Sequence, residues 1–124
     1  MKRLAALALR TPDVLTVTSA RGTRRVAVTA ERGFPAVAAL QLAQVLAFEQ
    51  AESPPGTATL RIAGHAFGFV IDAAYFRCEG SVYTLATGPY IERDSLFLPL
   101  QFVTEYLPRL TSRYRYDARR GRLD

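Results

Sequence analysis

The 124-residue sequence has one cysteine (Cys78), one histidine (His65), one lysine (Lys2) and no tryptophan. Each scarcity removes a class of explanation. A single thiol permits no internal disulfide, so the fold must close on its own core; a lone thiol fits a cytosol and a periplasm alike. A zinc hydrolase needs three protein ligands, usually with two histidines among them, and that set is missing. A Ser-His-Asp or Cys-His relay would have to use His65 as its base. With Gly64 before it, His65 reads instead as part of a two-residue hairpin turn, its ring in water. The glycines fall singly at turns, in neither a GxGxxG nor a GxxxxGK[ST] pattern, so no phosphate cradle is expected. No run approaches the ~18 apolar residues that a membrane span requires. Glu92 and Asp94 flank a turn and read as capping or solvated groups, with a two-carboxylate glycosidase site as the weaker alternative. On these grounds the chain is expected to be no enzyme, with no catalytic residue, no cofactor and no metal ligand.

What is present suits a globular domain. Apolar residues make up 49% and charged residues 22%, enough apolar surface to close a core without staples. Lys+Arg number 16 against 11 Asp+Glu, and every cation but Lys2 is an arginine. The net charge of +5 favours anionic partners such as nucleic acid, phospholipid or an anionic glycan. Arginines scattered over solvated faces are the plainer reading.

The N-terminus begins like a secretory signal, with Met1-Lys2-Arg3 before the apolar run Leu4 to Leu9. Arg10 cuts that run short and no small-residue cleavage site precedes Thr11. Residues 1–13 therefore read as a signal remnant or N-terminal extension, and residues 14–124 as one domain.

Period two dominates that domain. Val14 to Thr18 and Arg25 to Val28 form a hairpin about Arg21-Gly22. Phe34-Pro35 opens a helix expected to run to about Phe48, burying Ala39, Leu42, Ala43 and Leu46. Ser53-Pro54-Pro55-Gly56 breaks the chain. Leu60 and Ile62, then Phe67, Phe69 and Ile71, mark strands either side of Gly64-His65. Tyr75 to Cys78 and Val82 to Leu85 form a hairpin about Glu79-Gly80, Gly88-Pro89 turns the chain, and Ser95 to Leu98 is a short strand. Pro99 starts a second helix, with Phe102, Val103, Tyr106 and Leu107 on one face and Pro108 as its end. Tyr114 and Tyr116 alternate with Arg113 and Arg115 in a strand, and Arg122-Leu123 begin a last one. The expected class is α+β: mostly antiparallel strands with two amphipathic helices. The order strand, apolar-Pro step, helix, strand recurs around Phe34-Pro35 and Leu98-Pro99, an approximate internal duplication.

Two candidate binding surfaces emerge. Arg113, Arg115, Arg119 and Arg120, with Arg109 and Arg122, interleave with Tyr114 and Tyr116 near the C-terminus. Arginine on phosphate with aromatic stacking suits single-stranded nucleic acid. Alternation, however, sends tyrosines and arginines to opposite faces, leaving core tyrosines and a solvated, edge-protecting arginine face. Tyr75, Phe76 and Tyr83 form either a carbohydrate-stacking platform or part of the core.

The C-terminal half also carries an ordered set of family motifs. Val82-Tyr83-Thr84-Leu85 followed by Pro89-Tyr90-Ile91 resembles a "VxL…PxI" pattern. The run from Leu96 to Leu107, LFLPLQFVTEYL, resembles "LxVPLRFVAEALG", and Tyr114-Arg115-Tyr116-Asp117 resembles a terminal "VxWD" strand. Over Phe67 to Leu123 the chain is thus similar to the copper amine oxidase N-terminal-like (stalk) domain, in the form that precedes zinc-dependent catalytic domains in some bacterial N-acetylmuramoyl-L-alanine amidases. Gln101 departs from the usual Arg, and Pro108 from the usual Gly. The resemblance implies a duplicated α+β fold, an extracytoplasmic setting in periplasm or envelope, and an accessory role beside a catalytic domain that would follow Asp124. It implies no copper site. Peptidoglycan or another envelope glycan is the implied partner. Nucleic acid binding through the arginine-rich strands is the alternative, and self-association through an exposed edge of the last strand is a third reading.

Overall fold

A computed structural model describes residues 13–46 and 48–124; the reading of residues 1–13 as a signal remnant therefore lies, Asp13 apart, outside the described residues. Tight turns set much of the architecture. β1 (Val14–Ser19) and β2 (Gly22–Ala27) pair in register from Val14↔Ala27 to Ser19↔Gly22, so the turn centres on Ala20-Arg21, one residue before the expected pair. The next hairpin, β5 (Thr57–Ile62) with β6 (His65–Val70), turns at Ala63-Gly64, both at positive φ (52° and 83°). His65 is therefore the first residue of a strand rather than half of a turn. β7 (Tyr75–Cys78) and β8 (Ser81–Thr84) turn at Glu79-Gly80 as expected, at φ 51° and 85°. Paired positive φ values are what a two-residue hairpin needs to match strand twist.

β9 (Tyr90–Glu92) and β10 (Ser95–Pro99) turn at Arg93-Asp94, both exposed and both at positive φ (50° and 62°) without a glycine. Side chains in the left-handed region carry a steric cost that glycine avoids. Asp94→Gly is expected to raise the unfolding free energy by ~0.5 kcal/mol or more, read as a higher urea midpoint at constant slope.

The strands of the described residues form three sheets. β4 (Phe48–Ala51) opens an antiparallel meander, order β4-β5-β6-β7-β8. β3 (Ala36–Ala38), β10 and β9 make a three-stranded antiparallel sheet. β11 (Tyr116–Asp117) and β12 (Arg122–Leu123) join the first hairpin in the order β11-β12-β1-β2, with β12 parallel to β1. The last strand is therefore paired on both sides and offers no free edge, which removes it as the expected self-association surface; β11 and β2 are the edges.

The expected helix from Pro35 to Phe48 is corrected. Its first part is β3, which pairs with β10 through Val37↔Leu98, and the Leu100 N–H donates to the Pro35 carbonyl. Only Ala39–Ala43 is helical (α1), and Phe48 opens β4. A five-residue helix gains little from its own backbone, whereas the sheet offers full ladder bonds. The buried face survives the change: Ala39, Leu42 and Leu46 are all buried.

The second helix passes through Pro108 instead of ending there. Residues 100–111 are helical, with a π-helical segment at Phe102–Tyr106 followed by α2 (Leu107–Thr111). The Leu107 N–H bonds to the Phe102 carbonyl, five residues back. That wider turn relieves the conflict between a proline ring and the carbonyl four residues earlier. The helix stops at Ser112, whose φ is 56°. Phe102, Val103 and Leu107 are buried as expected.

Among the described residues the architecture is α+β, mostly antiparallel strands with two short helical stretches. Its core centres on Phe102, whose ring lies edge-on to Phe67, Phe69 and Phe76 at centroid distances of 5.2, 5.0 and 5.2 Å. Such edge-to-face contacts add specific attraction to the burial of each ring. Among the described residues, no helix is long and apolar enough to cross a membrane.

Candidate functional site

Strand register decides where each candidate side chain lies. Phe76 and Tyr83 pair directly across β7 and β8, so both face the core, and their rings stack at 5.1 Å with 19° between planes. Tyr83 also meets Tyr106 edge-on, and the Tyr106 hydroxyl donates to the Thr84 carbonyl at 2.7 Å. The N–H of Ala86 donates to Gln101 Oε1 at 2.8 Å, a second tie between this hairpin and the helix. Tyr75 pairs with Thr84, on the opposite side of the sheet. Tyr75 and Tyr83 thus stand on opposite faces and cannot share one stacking platform, and Phe76 is fully buried.

At the C-terminal end, alternation separates tyrosines from arginines as expected. Tyr114 is buried and Tyr116 packs against the core. Burial pushes both hydroxyls above the ordinary tyrosine value, against the opposing charge of Arg113 in the case of Tyr114. Arg113, Arg115, Arg119 and Arg120 are exposed. Arg115 exchanges both backbone hydrogen bonds with Asp124, and Asp117 pairs with Arg122, which places Arg115 and Arg122 on one face. Thr16 pairs with both Arg122 and Arg25, so that face continues through β1 to Arg25 on β2. Asp117 Oδ1 accepts from the N–H groups of Arg119 and Arg120, fixing the β11–β12 turn. Ion pairs at this edge include Arg120–Asp117 at 3.7 Å and Arg122–Asp124 at 2.7 Å. With Tyr114 and Tyr116 turned inward, the arginines have no interleaved tyrosine on their own face to stack a base.

A third grouping was missed in the sequence. Phe67 pairs with Cys78 across β6 and β7. His65 lies two residues before Phe67 and so shares its face, diagonal to Cys78. Glu79, the first residue of the β7–β8 turn, accepts at Oε2 from His65 Nδ1 across 2.8 Å. One ligand-capable atom from each of His65, Cys78 and Glu79 lies within 4.8 Å of the others. Cys78 is buried, and burial raises its thiol pKa, with the Glu79 carboxylate adding to the rise. Separations of 13 residues between His65 and Cys78 follow no metal-motif spacing; hairpin register alone brings them together.

No family model matches the chain, and neither a curated protein nor a solved structure matches it.

A fourth cluster reads as structural. Arg32 lies over the Tyr90 ring at 4.3 Å and donates to Glu92 Oε1 at 3.0 Å, and Tyr90 stacks on Phe97 at 5.1 Å. These contacts hold the loop before β3 against the β9–β10 hairpin.

Proposed function

We propose that the chain is a non-catalytic accessory domain of a bacterial cell-envelope protein, of the copper amine oxidase N-terminal-like type, acting as a wall-binding or spacer module. The parent protein on this reading is a zinc-dependent N-acetylmuramoyl-L-alanine amidase, its catalytic domain adjoins this one, and its setting is extracytoplasmic. The motifs from Val82 to Asp117 motivate the family. The approximate duplication is part of the same proposal. It rests on the recurring order of strand and helix, in which β3 runs into α1 and β10 into the second helix, while Pro35 precedes its strand and Pro99 ends its own.

The observation that carries the binding role is the exposed arginine face of the β11-β12-β1-β2 sheet. Guanidinium groups suit carboxylates, and peptidoglycan stem peptides present carboxylates along an extended polymer. The same face favours nucleic acid as a second reading, through phosphate contact. Replacing Arg113, Arg115, Arg119 and Arg120 together by Gln separates charge-driven binding from other modes. The variant is expected to lose most of its pelleting with isolated sacculi, ~10-fold or more in affinity, while its far-ultraviolet circular dichroism stays unchanged. Equal pelleting of variant and wild type would remove the arginine face from the proposal. Tighter binding to DNA or RNA than to sacculi, falling steeply with salt, would favour the second reading. Amidase activity by this chain alone would contradict an accessory role.

A further inference from the structure

We infer that His65, Cys78 and Glu79 form a binding site for a borderline-soft divalent cation, with zinc as its chemical type. The three side chains supply an imidazole nitrogen, a sulfur and a carboxylate oxygen, the donor set that suits zinc and is poor for magnesium or calcium. Their ligand atoms lie within 4.8 Å of one another. A tetrahedral zinc with bonds of ~2.0–2.3 Å needs its ligands ~3.3–3.8 Å apart. Side-chain torsions must draw the widest pair in by about an ångström and open the 2.8 Å His65–Glu79 pair, which the partial exposure of these two side chains (27% and 66%) permits. The backbone needs no change, because the β6–β7 register already sets His65 and Cys78 diagonally on one face.

Each ligand has a defined part. Cys78, at the buried end of β7, provides the inner anchor and binds as thiolate, its proton passing to solvent. His65 already holds a hydrogen bond from Nδ1 to Glu79 Oε2, so the cation would replace a shared proton between two groups that face each other. Its ring stands 6.3 Å from that of Phe67. Glu79 closes the site from the β7–β8 turn, its Oε2 at 2.8 Å from His65 Nδ1. Three protein ligands leave the fourth position to water, on the exposed side. The site is independent of the arginine face, so it can fail while the accessory-domain reading stands, and the reverse.

Cobalt(II) reports the coordination directly. The full chain, reduced and stripped with chelator, is titrated with Co²⁺, then with Zn²⁺ in competition. Expected are a near-ultraviolet thiolate-to-cobalt charge-transfer band and visible bands of tetrahedral intensity that saturate at one equivalent and are displaced by Zn²⁺. His65→Gln and Glu79→Gln, both partly exposed, are each expected to weaken binding ~10-fold or more. Cys78→Ala is expected to abolish the charge-transfer band. Should that variant unfold, the two surface variants and the wild-type spectrum still decide the matter. Absence of the band in wild type, or unchanged affinity in both His65→Gln and Glu79→Gln, would overturn the site.

Discussion

Phe102→Ala is expected to cost ~4 kcal/mol of folding stability. Phe102 has no exposed surface, and it touches Phe67, Phe69 and Phe76 edge-on at once. Truncation removes the transfer energy of a full ring and leaves a cavity that three other rings, fixed on the adjacent strands β6 and β7, cannot collapse to fill. The loss also reaches beyond one side chain, because Phe102 begins the π-helical segment and packs the second helix on β6 and β7. A domain of this size is typically stable by only about 5–15 kcal/mol, so the variant should lose a large part of its margin. Urea unfolding at constant slope gives the number. A loss below ~1 kcal/mol would place the ring outside the core.

Gly88→Ala should be almost as damaging, for a different reason. A Cβ built on Gly88 would lie 2.6 Å from the backbone nitrogen and carbonyl carbon of Ala73. Backbone cannot swing aside as the end of a side chain can. The neighbouring chain is held as well: the Asp72 N–H donates to the Pro89 carbonyl at 2.7 Å, and the Leu85 N–H donates to the Ala74 carbonyl at 2.9 Å. Separating the two segments to admit a methyl group breaks these bonds or bends them. A loss of ~2–3 kcal/mol is expected, and a neutral result would show that the two strands' flanks do not approach so closely. Gly56→Ala serves as a contrast. That glycine has open space around it, and only its positive φ (81°) opposes the change.

These two positions also mark what the sequence shows and what it hides. Phe102 stands out within the apolar face of a helix pattern, and Gly88-Pro89 reads as a turn, but nothing local says that Ala73 will press against Gly88. Alternation made the β5 to β7 strands legible, because each has one buried face, as in Phe67 and Phe69 or Phe76 and Cys78. The Glu79-Gly80 turn was legible from its glycine. Ala36-Val37-Ala38 was not, since a three-residue strand carries too few side chains to display a period, and alanine suits a helix equally well; pairing with β10 settled it. Pro108 misled for a related reason: its effect on a helix depends on whether the preceding turn can widen, and the π-helical segment does so. At the candidate sites, the split between Tyr114 and Arg115 followed from period two. The parting of Tyr75 from Tyr83, and the meeting of His65 with Cys78 and Glu79, follow from cross-strand register, which two separate strands fix only when they pair.

Sheet order likewise escapes local reasoning. Leu123 belongs to a strand that inserts between β11 and β1, parallel to a strand more than a hundred residues earlier. This closure ties the arginine-bearing C-terminal segment to the first hairpin and joins Arg115 and Arg122 to Arg25 on one face. A flexible basic tail would bind anions with little geometric preference, whereas a sheet face presents its charges at fixed spacing.

The central claim, that the domain contacts the cell wall, is tested most directly by co-sedimentation of the purified chain with isolated peptidoglycan sacculi at physiological salt. A wall-binding module pellets with sacculi in a saturable manner and stays in solution when sacculi are omitted. A chain that remains in the supernatant at every sacculus concentration contradicts the binding role.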